Sequence, residues 1–349
     1  MFKIGTLGHP NAPILLILRY PGYPSSKLKD MKNLFIIAIF SFFATAIFAQ
    51  QQPHNTQFYY YKLGYNPAYA GSQESPCATC IYRQQWLGLE GAPSIAAFTF
   101  NMPLLNQRVG IGGNLYRHTI GITTMYNLDA AYAYRVRVGT GMLGIGVMAS
   151  ARAFENDYNK TTATQGKDDD IAIPTENQNK VNFNFGTGIY FNSEIFYAGV
   201  SAPRLLQNNI DFSNDDTEIS REVQHVYLMG GFILPLGESV KMQPQTLVKY
   251  VAHAPVGFDA NFNFIFSNRF IAGVTYRLGG DRTDRAYKGE SVDLLVAAQL
   301  TKHMMFGISY DFTLSDVKDH TSGSIEASFH YCFGSDSGTN REYLDPRFF

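Results

Sequence analysis

Three stretches of the chain have residue types and spacings that could do chemistry. Cys77-Ala-Thr-Cys80 has the gap of a redox or metal-binding cysteine pair. Gly139-Thr-Gly141-Met-Leu-Gly144 matches the GxGxxG pattern that lets backbone approach a pyrophosphate. Lys167-Asp168-Asp169-Asp170 gathers carboxylates that suit a hard cation such as calcium. Each fails on context. No strand–helix pattern of a thioredoxin-like fold surrounds the cysteines, and a zinc site needs a second ligand pair where only Cys332 remains. A dinucleotide site needs a helix after its glycines and an acid about 20 residues on. Here Leu143, Ile145, Val147 and Ala149 alternate with Gly144, Gly146, Met148 and Ser150, which is a strand. The acidic run lacks the spacing and closing Glu of a calcium loop. The eight His include no HExxH, and no GxSxG elbow is present. His118, His225, His303 and His330 fall in or beside strands without metal-ligand spacing. The reading is a non-enzymatic chain with no cofactor and no metal. Its cysteines are a structural pair or free thiols.

The elements that would carry any site are strands. Strict alternation recurs from about residue 80 to residue 334. Tyr126, Leu128, Ala130, Tyr132, Tyr134, Val136 and Val138 alternate with Asn127, Asp129, Ala131, Ala133, Arg135 and Arg137. The segments beginning at Phe258, Phe270 and Ile325 repeat the pattern. One face is apolar and aromatic; the other is small, polar or charged. About fourteen such segments occur, each near the length of a tilted membrane strand. Short turns at 139–141, 192–194, 237–238, 267–269 and 301–303 alternate with longer links at 156–181, 204–221, 280–289 and 315–322. Outer-membrane barrels have short periplasmic turns and longer outer loops. The expected fold is therefore an all-β transmembrane barrel with both termini periplasmic. Its lumen would carry Arg83, Asp129, Arg135, Arg137, Lys249, Asp259, Arg277, Asp293, Asp311 and Glu326. Their mixed signs favour mutual pairing over an ion-selective path.

Composition agrees. Of 349 residues, 16% are charged and 14% aromatic, with 27 Phe, 22 Tyr and one Trp. A net charge of −1 argues against nucleic-acid binding. Mean hydropathy of −0.13 excludes a bundle of membrane helices. Met31-Lys32-Asn33, the apolar run Leu34–Phe48 and small Ala49 read as a signal peptide over 31–49, cleaved before Gln50. Residues 1–30 then precede a complete export signal and read as a misassigned upstream extension. Residues 50–76 form an aromatic segment, a lumen plug or a periplasmic element. Residues 77–334 form the barrel and 335–349 a periplasmic tail.

Specific motifs lie at the mature amino end. Tyr65-Asn66-Pro67-Ala68-Tyr69-Ala70-Gly71 is followed by Arg83-Gln84-Gln85-Trp86 and Gly91-Ala92-Pro93. Val109-Gly-Ile-Gly112, Asp129–Arg135, Tyr197–Pro203, Gly307–Asp311 and the ending Asp345–Phe349 extend the pattern. Over about 50–349 the chain resembles the PorP/SprF family of the Bacteroidetes type IX secretion system. The Cys77–Cys80 pair is not part of that pattern. The resemblance implies a non-enzymatic outer-membrane barrel, embedded in lipid, that associates with a periplasmic ring built from a lipoprotein and its partner. It further implies help in secreting or anchoring particular adhesins, gliding adhesins included, through their C-terminal sorting domains. The Asn66–Gly71 and Arg83–Pro93 motifs are candidate plug or partner contacts. Arg347, Phe348 and Phe349 are a candidate docking tail, since Arg and aromatic residues anchor interfaces. The rival reading is a porin or hydrophobic-solute transporter with a plugged lumen.

Overall fold

The computed structural model describes residues 55–160, 177–210, 221–252, 254–279 and 289–334. The signal segment, the upstream extension, the Asp168–Asp170 run and Arg347–Phe349 lie outside the described residues.

Fourteen antiparallel strands close on themselves. They are β1 Cys77–Gln84, β2 Ser94–Leu104, β3 Val109–Ile120, β4 Thr123–Val138, β5 Gly141–Asn156, β6 Gln178–Asn192 and β7 Phe196–Ala202. Then come β8 His225–Phe232, β9 Val240–Val251, β10 Gly257–Phe266, β11 Phe270–Leu278, β12 Ser291–Gln299, β13 Met304–Thr313 and β14 Ser324–Cys332. Leu234–Pro235 prolongs β8 in unchanged register against β9. Each strand pairs with its sequence neighbour, and β1 pairs with β14 from Cys77↔Cys332 to Gln84↔Ile325. Closure leaves no sheet edge to satisfy in lipid.

Alternation sorts the side chains. On β4, Tyr126, Leu128, Tyr132 and Tyr134 are exposed on the outer wall, while Asn127, Asp129, Ala133 and Arg135 are buried within. Among the described residues no helix is long and apolar enough to cross a membrane. Short turns gather at one end and longer links at the other. The two-residue link Gly121–Ile122 is a short member of the long-loop end. β1 stops at Gln84, earlier than its apolar pattern, because Trp86 takes φ 49° and turns the chain.

Residues 55–73 lie inside the barrel. Three short turns, Phe58–Tyr60, Lys62–Tyr65 and Pro67–Tyr69, give the segment its course. Thr56 and Gln57 meet Glu326, two residues into β14 from the long-loop end. Gln73 meets His330 near the short-turn end of the same strand. The plug therefore begins at the long-loop third of the lumen, not at the short-turn end where the strand count alone would start the chain.

The cysteines need a correction. Cys77 is disulfide-bonded to Cys332, its direct cross-strand partner at the seam, and Cys80 is free and exposed. Residues three apart on a strand point to opposite faces. The CxxC spacing on β1 therefore separates its two thiols.

Candidate functional site: the lumen and its plug

Two walls hold the plug by different means. The first is lined by glycine on β3, β5, β6 and β7. A Cβ at Gly110 would overlap the carbonyl of Ala70, and one at Gly146 would overlap the backbone of Ala68. A Cβ at Gly188 would strike the Asn66 side chain. Gly71 takes φ +69°, a conformation L side chains resist, and packs on Gly110. The motif Asn66–Gly71 is thus plug backbone laid against a wall with no side chains in the way. Asn66 locks the local fold. Its Oδ1 accepts from Ala68 N–H at 2.9 Å, and its Nδ2 donates to the carbonyl of Ile189 at 3.0 Å. Pro67 opens the short helical turn that Asn66 caps. Ser201 donates its hydroxyl to the carbonyl of Tyr65 at 2.7 Å.

The second wall is charged and spans β9 to β14 and β1. Arg277 contacts Asp259 and Asp293 at 3.3 Å each and Asp311 at 3.6 Å. Lys249 contacts Asp259 at 2.7 Å. Arg83 contacts Asp311 at 2.6 Å and Glu326 at 3.3 Å. Three cations face four carboxylates, and the plug supplies what balances the surplus. The N–H groups of Thr56 and Gln57 each donate to one oxygen of the Glu326 carboxylate at 2.8 Å. Thr56 Oγ1 donates to Asp311 at 2.9 Å and accepts from Arg83 Nη1 at 2.8 Å. Buried charges hold only when paired and hydrogen-bonded, so plug and wall complete each other.

A third cluster lies between β3–β6 and the inturned β7–β8 link. Arg152 bonds Glu222 and the hydroxyl of Tyr116. Arg204 approaches Asp129 at 4.0 Å and Glu222 at 3.8 Å. Asn184 donates to Glu222 at 3.1 Å. Asp129 also accepts from Asn114 Nδ2 at 2.6 Å.

Lys62 is buried in the plug with its Nζ 3.8 Å from the centroid of the Tyr197 ring and 5.7 Å from that of Tyr69. Burial pushes its ammonium well below the usual lysine value. The ring faces act the other way by stabilising the cation. Burial also pushes the Tyr69 phenol up to about 12.

The sequence-derived residues scatter accordingly. Arg83, Asp129, Arg135, Arg277 and Glu326 are buried on the lumen face. Arg135 donates to Asn192 at 2.8 Å. Arg137 is corrected: it shares their parity but is exposed, one residue from the end of β4 and beyond the last β3–β4 pair, Val109↔Tyr134. The second motif divides. Arg83 enters the charged wall and Gln84 ends β1, whereas Gln85 to Pro93 form the first link at the long-loop end. Gln85 donates its N–H to Pro93 at 2.9 Å, and Trp86 N–H donates to Ser324 Oγ at 3.1 Å. Leu87 exchanges backbone bonds with Gly323 and Ser322. Gly91 takes φ +71° and is exposed beside the half-buried Ala92. Sequence reasoning missed Thr56, Gln57 and Lys62 as plug anchors and missed the glycine wall. A signal for the wall existed: Gly110, Gly112, Gly144, Gly146, Gly186 and Gly188 all fall at inward positions.

Comparison with solved structures finds membrane barrels of low sequence identity. The P. putida toluene transporter TodX aligns with TM-score 0.45 and 9% identity over 77% of this chain and 93% of its own. A Pseudomonas aeruginosa FadL homologue aligns with TM-score 0.43 and 11% identity over 77% and 93%. Acinetobacter baumannii Omp33 aligns with TM-score 0.43 and 8% identity over 75% and 100%. No curated protein matches the sequence. The family of type IX secretion system membrane proteins PorP/SprF matches residues 47–331. That span takes in the plug and all but the last residue of the final strand, so the chain belongs to the PorP/SprF family, as an outer-membrane β-barrel of type IX secretion.

Proposed function

We propose that this chain is a non-enzymatic accessory barrel that helps secrete or anchor particular surface adhesins through their C-terminal sorting domains. It works from its rims, with the short-turn end and the carboxyl tail in the periplasm, and it associates there with the ring lipoprotein and its partner. One observation carries the reading. The lumen is occupied by a plug that both walls grip, so a polypeptide cargo has no path through the described barrel. Membership in a secretion family then directs attention to the surfaces at the two ends. Arg347, Phe348 and Phe349 supply the docking chemistry of the tail.

The test is purification of the tagged protein from native membranes in mild detergent. Recovery of the ring lipoprotein or of an adhesin bearing a sorting domain is the expected result. Truncation after Gly334 should abolish ring recovery while the barrel stays inserted. A lone barrel under cross-linking, together with single-channel conductance, would instead establish a solute channel.

A further inference from the structure

The outer wall carries a feature that plug and rims do not use. Where the first strand meets the last, small residues interrupt the aromatic surface. Cys80 lies between Phe98 and Phe329 across its two neighbours, and Ala96 and Ala327 flank Tyr82 in the next row. The result is a groove of about 560 Å³, within the range of sites that bind small ligands. Phe306 and Leu115 stand on its opposite sides.

Its course is directional. Arg117 and Tyr126 close the end near the long loops; each lies three residues inside its strand. Phe306 and Phe329 close the other end, past mid-height of the wall. The groove thus crosses the midplane of the wall from its start at the long-loop end. Charge marks the same end. The outward positions of β1, β2, β4, β13 and β14 carry no ionisable acid or base apart from tyrosine and Cys80. Arg117 is the cation of this sector, 5.9 Å from the Tyr126 ring centroid. A guanidinium at the polar end of an apolar slot fits a phosphate joined to a hydrocarbon chain.

We propose that this seam groove binds one phosphorylated, acylated glycolipid of the outer leaflet, with an acyl chain along Cys80 and a phosphate on Arg117. The choice of leaflet rests on the long loops facing outward. The binding itself does not depend on the secretion role.

Cys80 supplies the probe, because Cys77 and Cys332 are bonded to each other. The full chain would be placed in nanodiscs of phosphatidylcholine alone, with added lipid A, or with added phosphatidylglycerol. The rate of Cys80 alkylation by a hydrophobic maleimide would then be read. Lipid A should slow alkylation about tenfold, the worth of one charge-assisted contact. Arg117→Gln should restore the lipid-free rate, and Ala96→Phe should slow alkylation whatever the lipid. Heat-modifiable gel migration identifies variants that remain folded. Equal rates in all three lipids would overturn the proposal. So would equal protection by phosphatidylglycerol, which would assign the groove to phospholipid. Protection that grows with barrel density and yields Cys80-linked dimers would assign it to a second copy.

Discussion

The glycine wall and the charged wall hold one plug, yet they recognise it differently. The glycine wall reads shape: it offers bare backbone, and the Asn66–Gly71 segment fits because nothing projects. Tolerance there is steric and falls abruptly with added volume. The charged wall reads hydrogen-bonding capacity. Glu326 needs two N–H donors, and any residues at positions 56 and 57 other than proline would bring them. The side chain of Asn66 and the bare backbone of Gly71 are therefore specified by local fold, whereas Gln57 is used partly for its backbone. Conservative substitutions should be punished on the first wall and partly forgiven on the second.

Glu326→Ala is the strongest break. It leaves two plug amides without an acceptor and Arg83 with Asp311 as its remaining carboxylate, and losing one partner of a buried pair costs about 3–5 kcal/mol. Hydrogen exchange at Thr56 and Gln57 should accelerate sharply, and current should pass through the barrel. Glu326→Gln keeps one acceptor oxygen and should lose less. Equal exchange in Glu326→Ala and wild type would mean that the charged wall does not hold the plug.

Next comes the seam that closes the charged wall. Cys77 and Cys332 are separated by 255 residues of sequence. Replacing both with Ser should lower the unfolding temperature, by an effect of about 2–4 kcal/mol. The barrel should remain folded, since the β1–β14 ladder still closes it. An unchanged unfolding temperature would show that the ladder alone sets the seam.

Gly146→Val tests the other wall and should cost about 1–3 kcal/mol through overpacking. The same change at Gly139, with no atom near its Cβ position, leaves the plug contact alone, although its φ of +60° strains the turn. Only the first should raise conductance. If both do, barrel distortion and not plug displacement is the cause.

The strands were legible because a barrel wall has one solvent on each side, so alternation runs uninterrupted along β4, β11 and β14. Trp86 shows the limit: the outward pattern continues past Gln84, but a positive φ ends the strand. The plug contacts were illegible for a different reason. Thr56 and Glu326 are 270 residues apart, and backbone N–H groups leave no mark on a sequence. The Asn66–Gly71 motif could be seen, but its role depends on glycines of four distant strands. Cys332 likewise became a partner only once β14 had closed on β1.

The smallest expected effect at neutral pH sharpens the comparison at its midpoint, where Lys62 touches neither an acid nor a glycine. Burial holds its value below the ordinary lysine value of 10.5, so the plugged state binds fewer protons than the unfolded chain between those two values. Stability should therefore rise with pH through that window, by no more than about 1.4 kcal/mol per unit for a single proton. Below the folded-state value the penalty is complete and the dependence is flat. Tyr69, pushed up to about 12, acts with the opposite sign above the ordinary phenol value of 10.0, so the scan belongs below it. Lys62→Met removes the ionisable group at similar length but also loses the contact with the Tyr197 ring, worth about 2 kcal/mol or more when desolvated. The two changes offset near neutrality, and the variant should differ chiefly in slope. Unfolding temperature followed from neutral pH toward 10 should climb for the wild type and stay level for Lys62→Met. Parallel curves would mean that Lys62 stays charged in the plug, with the Tyr197 and Tyr69 rings carrying its ammonium in place of an acid.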